Sequence, residues 1–594
     1  MKIQIRNRVE LVEAAVGKRP MDLVIKNVQL VNVFTGEIYA ADIGIHDGFI
    51  AHIEADPDCI EKNKYEMEGK EYLDAKGMFA VPGFIDTHLH IESSMLTPAN
   101  YAKVVIPHGT TTIITDPHEI GNVLGIDAVE YMHEASENLP LRNYILAPSC
   151  IPAVPGLENA GATFQADDIE RLLKLERVVG LGEVMDFSGV INNSERMVEI
   201  LELAEKKGVF IQGHSPMLSG RNLSAYICAG PNNDHESRFG QEARNKLRMG
   251  MTVDARESSM SQNVAEIVSA TKNFFYPPNM TLCTDDREPG DILRDGHMNF
   301  AVKKAIEAGL DTIYAIRCAT IQAASSIGIE NLGAIAPGYA ADILLMPDLK
   351  DMKSEYVLCR GKLVAKGGKL LETIQQIEHE VEKIDTVNLK QPLEEDFRIK
   401  CEGTDTHASV NVINYLSINS SITEYKTENV PIKNGYIDIS NDDDLNIVVV
   451  FNRYGKENKS IGLVRNFGLK RGAVAATVSH DSHNLTVVAS NEKDALAAVN
   501  AVIQSKGGIS CALDGKALDI LPLPIAGLMS PQSAEEIDKT ISRMKEKIRG
   551  LGIDNKNPLL RIATIALPVI PNAKITDVGL VSVSEQKIIP LFAQ

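Results

Sequence analysis

Apolar and polar positions change rhythm several times along this chain. Residues 4–16 repeat apolar side chains at helical spacing and predict a helix on the outside of the molecule. Short apolar runs then alternate with turn residues: 23–25, 29–33 before Thr35-Gly36, 43–45 before Asp47-Gly48, and 49–53. Asp-Gly between apolar runs signals a hairpin, because both turn positions need positive φ. From about Val81 to Ile329 short apolar runs alternate instead with amphipathic stretches such as 166–175 and 194–207. The runs are 111–115, 144–147, 178–184, 209–212, 251–253 and 281–284. With 79–81 and a short one at 233–234, about eight βα units occupy roughly 250 residues, the usual size of a (β/α)8 barrel.

Strand texture returns at 333–346, 357–358 and 361–364. These strands are expected to complete the β region begun before the barrel, which makes the barrel an insertion. The expected division is 1–78 (helix and first part of a composite β domain), 79–330 (barrel), 331–370 (second part of the β domain), 371–396 (a charged connector) and 397–594 (a mixed α and β domain). In the last region residues 445–451 read as a strand and 534–549 as a helix, opened by a Ser533/Glu536 capping box.

Composition narrows the class. The chain has 594 residues, 44% hydrophobic and 24% charged, which is enough for several cores. A net charge of −20 argues against general binding to nucleic acid or an anionic membrane, though not against a small base as substrate. The eight cysteines are scattered without a CxxC pair and read as reduced thiols. The first twenty residues lack the apolar core of a signal peptide, and no apolar run approaches the ~18 residues of a membrane span. A cytoplasmic protein is expected.

Barrel enzymes gather their chemistry at the C-terminal ends of the strands. There the chain offers His88 and His90, two residues apart and so on one face of an extended strand. Further strand ends offer Asp116, His118 and Glu119; Glu183; His214; His235; and Asp285 beside Asp286. Imidazole and carboxylate without thiolate suit Zn, Mn or Fe. Glu183 is placed to bridge two ions, and a metal-bound water becomes hydroxide near neutral pH. Asp285 is the expected proton carrier; only one of Asp285 and Asp286 is expected to face inward from a regular strand end. Asp116 and His118 have an alternative use as cap or loop residues, and His214 as a loop histidine. Glu92 and Ser94 sit after His90 as a helix cap or as pocket residues, and His297 follows the last strand as a candidate substrate contact. In the C-terminal region His480 and His483, within Ser479–Asn484, either bind metal, reach the barrel mouth or form a polar turn.

These residues carry a resemblance. Pro82-Gly83-Phe84-Ile85-Asp86-Thr87-His88-Leu89-His90 with the later ligands resembles the amidohydrolase superfamily, many of whose members carry a carboxylated Lys where Glu183 stands here. The strings at 90–95, 115–120, 180–185, 479–484 and 566–571 are similar to the bacterial adenine deaminase family, over nearly the whole chain. The resemblance implies an α/β chain: a metal-dependent-hydrolase (β/α)8 TIM-like barrel inserted in a small composite β-sandwich, plus a C-terminal α+β domain. It implies hydrolysis of adenine to hypoxanthine and ammonia in purine salvage, by hydroxide attack at C6. It implies two Mn(II) or Fe(II) ions, with Zn(II) a further option. His88, His90 and Asp285 would take the first, His214 and His235 the second, with Glu183 between. It also implies a homo-oligomer, a dimer or larger. A cyclic-amide or N-acetyl amino sugar hydrolase, or a non-catalytic scaffold, are the competing expectations.

Overall fold

The computed structural model describes residues 1–55, 66–402, 405–570 and 572–593. Cys59 and Pro571, the last residue of the 566–571 string, lie outside the described residues. The outer helix runs Arg8–Ala15, with the Asn7 side chain accepting the Glu10 N–H at its start. Two of the expected early runs merge into one strand, Met21–Asn32, whose register slips between Ile25 and Val28. The Asp47-Gly48 turn joins Glu37–His46 to Phe49–Ala55, with φ of 46° and 77°, as the hairpin signal requires.

These strands share a nine-stranded sheet with Ile343–Met346, Tyr356–Cys359, Lys362–Lys366 and Lys369–Leu370. Residues from both sides of the barrel therefore close one β core, in which Ile25, Leu30, Ile43, Ile343 and Leu358 are fully buried. Phe79–Pro82 belongs here too: it lies between Met21–Asn32 and Ile343–Met346. The run counted as the first barrel strand is thus a strand of the β domain. Gly83 marks the crossing, its N–H reaching Asp342 in the β domain while the next N–H, Phe84, reaches Gly109 in the barrel.

The barrel has eight parallel strands: β1 (Phe84–Leu89), β2 (Thr110–Thr115), β3 (Arg142–Ala147), β4 (Val178–Val184), β5 (Phe210–Gly213), β6 (Asn233–Asp234), β7 (Thr252–Arg256) and β8 (Met280–Cys283). The first five pair in order, as do the last three. The Asp285 N–H to the His88 carbonyl (3.0 Å) closes the ring at β8–β1, and the Asn232 N–H to the Ile211 carbonyl (2.9 Å) closes it at β5–β6. No helix among the described residues is long and apolar enough to cross a membrane.

The C-terminal region forms a second nine-stranded sheet, packed by helices Glu492–Gln504 and Ala534–Gly550, and a small three-stranded sheet from Ala573–Thr576 onward. The expected capping box is formed: the Ser533 hydroxyl accepts the Glu536 N–H and the Glu536 carboxylate accepts the Ser533 N–H. This region is bolted to the barrel. Asp577 accepts the Asn159 N–H (2.9 Å), the Asn159 side-chain amide (2.8 Å) and the Asn452 amide (2.9 Å). Asn100 donates to the Pro531 and Gln532 carbonyls, and Glu288 pairs with Lys545.

Candidate metal centre and active site

The centre is built around Glu183, buried at the end of β4. Its Oε1 faces His90 Nε2 at 3.4 Å, His118 Nδ1 at 3.4 Å and His88 Nε2 at 4.0 Å. Its Oε2 faces His214 Nδ1 at 2.5 Å and His235 Nε2 at 3.3 Å. One carboxylate thus divides five imidazoles into two groups. Asp285 Oδ1 joins the first group, 3.5 Å from His88 Nε2 and 3.4 Å from His90 Nε2.

Second partners fix the ring orientations. His88 Nδ1 lies 2.9 Å from Gln212 Oε1, and His90 Nδ1 lies 2.8 Å from the Asp116 carbonyl. Those acceptors take the Nδ1 side of each ring and aim Nε2 at the centre. Asp116 accepts the Glu183 N–H at 2.7 Å and lies 3.6 Å from His118. Gly182 allows this approach: a Cβ there would stand 2.4 Å from Asp116 Oδ2. His88 Nε2 and His118 Nδ1 are buried without a hydrogen-bond partner. Orphaned imidazole nitrogens converging on a shared carboxylate fit divalent ions.

Asp285 Oδ2 is held by Arg256, which also pairs with Glu236. The guanidinium and the two histidines hold the Asp285 carboxyl well below the usual range, against its burial. Both members of the Asp285–Asp286 pair line the cavity, because Asp285 has φ of 54° and breaks the alternation expected of a strand end. Asp286 Oδ1 lies 2.5 Å from the Ser93 hydroxyl, whose other neighbour is Glu119 Oε1 at 2.6 Å. Burial and the adjacent Asp285 push the Asp286 carboxyl up to about 6.

Above the centre lies a cavity of about 650 Å³. The barrel supplies one wall. The C-terminal domain supplies the other, including Ser420, Ser421, His480, Asp481, Asn557 and Arg561. Residues 79–364 match the amidohydrolase family, and residues 420–587 match the adenine deaminase C-terminal domain. A protein named adenine deaminase 2 from Carboxydothermus hydrogenoformans is 41% identical over 98% of this chain and 99% of its own length. Proteins named adenine deaminase from Kosmotoga olearia (38%; 99% of each chain) and Clostridium acetobutylicum (40%; 97% of this chain, 98% of that one) are similar to it as well. The chain belongs to the adenine deaminase family.

The structure brings together His88, His90, His118, Glu183, His214, His235 and Asp285, with Asp116 directly behind them. Glu119 and His480 reach the cavity, His480 Nδ1 lying 3.7 Å from Glu119 Oε1. Four expected substrate contacts sit elsewhere. His297 is sealed behind the strand ends, its ring nitrogens engaged by Tyr101 (2.7 Å) and Thr110 (2.8 Å). The Ser94 hydroxyl closes its own turn on the Ile91 carbonyl (2.6 Å). Buried Glu92 accepts the Ile120 N–H (3.2 Å), and burial with Glu119 nearby pushes its carboxyl up to about 7. His483 is fully buried and accepts the Ser479 N–H through Nδ1 (3.3 Å). None of the four lines the cavity.

Sequence reasoning missed Arg256 and Lys246; Glu236, beside His235, and Asp481, within Ser479–Asn484, fall in strings it singles out but are given no role of their own. Arg256 ends β7, so reading that strand end would have found it. Lys246 had no local signal. It is buried on helix Gly240–Arg248, and its ammonium donates to the Ser215 carbonyl, Asp234 and Glu242, each at 2.8 Å. It thereby ties the residue after His214 to the residue before His235.

Proposed function

We propose that this chain is an adenine deaminase that hydrolyses adenine to hypoxanthine and ammonia, with the residues around Glu183 as its centre. The observation that carries the activity is the likeness to proteins of that name across nearly the whole chain, including the C-terminal domain. The family is metal-dependent, and His88, His90 and Asp285 would hold one ion and His214 and His235 the other, with Glu183 between them. His118, 3.4 Å from Glu183 Oε1, supports the first group. Divalent ions there would lower the pKa of water enough to make a nucleophile at neutral pH. Mn(II) or Fe(II) are the proposed ions, with Zn(II) also suited to this donor set.

Overall, one water is consumed: the C6–N bond breaks, a C6–O bond forms, one water proton ends on the ring nitrogen and the other on the leaving ammonia. Asp285 Oδ1, facing the centre, would receive a proton and return it to the amino group. The Ser93 hydroxyl has one hydrogen for two carboxylates, so Glu119 and Asp286 would share a further proton, held ready for the ring. Asp116 and His118 would hold Glu183 in place, and His480 would face the bound base. A homo-oligomer in the cytoplasm is also proposed; the seven cysteines among the described residues are all free, which supports a reducing compartment.

The test is ammonia release from adenine, adenosine and cytosine by protein stripped of metal and reloaded with Mn(II). Metal-dependent turnover of adenine alone is expected. No turnover of any base by protein holding two ions per chain would refute the substrate.

A further inference from the structure

The cavity is lined by six carboxylates, and five are engaged. Glu183 is surrounded by imidazoles, Asp285 and Glu236 share Arg256, and Glu119 and Asp286 share the Ser93 hydroxyl. The sixth, Asp481, comes from the C-terminal domain. It is buried, and its Oδ2 has no hydrogen-bond partner. Its Oδ1 is 3.8 Å from His480 Nδ1 and 4.0 Å from His118 Nε2, both beyond hydrogen-bond reach. Oδ2 is sealed from the cavity, so Oδ1, which also receives no hydrogen bond, is the oxygen a ligand can reach; a largely buried carboxylate without a donor is costly, and one placed on a binding cavity calls for a donor from the ligand.

Its position says which donor. His118 stands between Asp481 and Glu183, with Nδ1 toward Glu183 and Nε2 toward Asp481. Asp481 is therefore one imidazole away from the centre. Adenine carries two kinds of N–H: the amino group, on the carbon that reacts, and the imidazole-ring N–H on the far side of the purine. With the amino end at the centre, the ring N–H is the donor left for Asp481. Resting on the deaminase reading, we infer that Asp481 accepts a hydrogen bond from the imidazole-ring N–H of the purine and so selects the free base. A 9-substituted purine has no such N–H and would leave the carboxylate buried and unpaired. Sites built to hydrogen-bond an N–H or O–H discriminate strongly against analogues lacking it. The C-terminal domain then contributes recognition as well as a wall.

The test is calorimetric binding of hypoxanthine and 9-methylhypoxanthine to the Mn(II)-loaded protein, with adenine turnover measured on the same samples. Asp481→Ala is expected to weaken hypoxanthine tenfold or more and to change 9-methylhypoxanthine less than threefold. Asp481→Asn, of the same size, should weaken hypoxanthine by at least threefold and remains informative if the alanine variant fails to fold. Equal weakening of both ligands, or of neither, overturns the assignment. If the unsubstituted protein deaminates adenine while the variants bind hypoxanthine unchanged, only Asp481 loses its role. If it deaminates nothing, the deaminase reading itself falls.

Discussion

Gly182→Ala should disable the centre without replacing any of the residues that converge on Glu183. Gly182 lies on β4 directly against the Asp116 carboxylate. A Cβ there would stand 2.4 Å from Oδ2, 2.7 Å from Cγ and 2.8 Å from Oδ1. Ordinary contact begins at 3.4 Å, so Asp116 must retreat by about 1 Å. It has nowhere to go: its side chain is fully buried, its Oδ2 holds the Glu183 N–H and its carbonyl holds the His90 ring. Losing the hydrogen bond to an ionised group costs roughly 1.5–3 kcal/mol, and forcing a methyl into a packed site costs about 1–3 kcal/mol. A loss of about 2.5–6 kcal/mol in unfolding free energy follows. A ~1 Å misplacement of His90 and Glu183 corresponds to roughly a hundredfold fall in kcat/KM for adenine. Denaturant unfolding, adenine kinetics and bound Mn(II) per chain measure these together. The decisive comparison repeats the substitution in Asp116→Ala, where the clashing atoms are absent and the added cost should nearly vanish. Wild-type kinetics for Gly182→Ala, or the same cost in both backgrounds, would refute the reasoning.

Lys246→Met should leave Asp234 buried without its cation, with only the Ser215 and Ser237 donors remaining, lowering stability by about 3–5 kcal/mol, and should reduce bound metal by loosening the His214 and His235 loops; denaturant unfolding and metal analysis measure both. Lys574 is buried with the Ser421 and Thr564 carbonyls as partners, and burial pushes its amine down from 10.5 to about 7. Because the folded state binds this proton less tightly than the unfolded state, stability should rise as pH increases from 7 to 10.5, by at most roughly 5 kcal/mol; Lys574→Met should flatten that slope in a series of denaturant melts. Asp285→Asn is expected to retain part of the metal and lose turnover, and full activity would remove Asp285 as proton carrier. Asp577→Ala removes the acceptor of three hydrogen bonds, so faster limited proteolysis between barrel and C-terminal domain is expected.

The barrel was legible because buried parallel strands are short apolar runs at regular intervals, and seven of its strands fall on runs read from the chain, with ends differing by a few residues. The residues that converge on Glu183 were legible because barrel sites collect at strand ends in chain order. The first strand was misplaced for a physical reason: two apolar runs, 79–82 and 84–89, abut with one glycine between them, and only the hydrogen-bond partners reveal that they serve different sheets. Asp285 and Asp286 defeated the alternation rule because a single left-handed residue lies outside it. His297 occupied a promising position after the last strand, yet its neighbours Tyr101 and Thr110 come from far away in sequence. Lys246 owes its meaning to long-range packing, which no local pattern encodes, whereas Asp481 lies within the Ser479–Asn484 string whose reach to the barrel mouth was among the readings.

The composite sheet also sets a timetable for synthesis. Met21–Asn32 and Phe79–Pro82 pair early, but the next strand along, Ile343–Met346, lies beyond the whole barrel. At roughly 5–20 residues per second, the edge of Phe79–Pro82 waits some tens of seconds on the ribosome for its partner. Its neighbours carry long apolar runs, and an unpaired edge of that kind recruits strands from other chains. The nascent chain therefore passes through an interval of vulnerability that ends only once the barrel is made and the chain has returned to the sheet where it began.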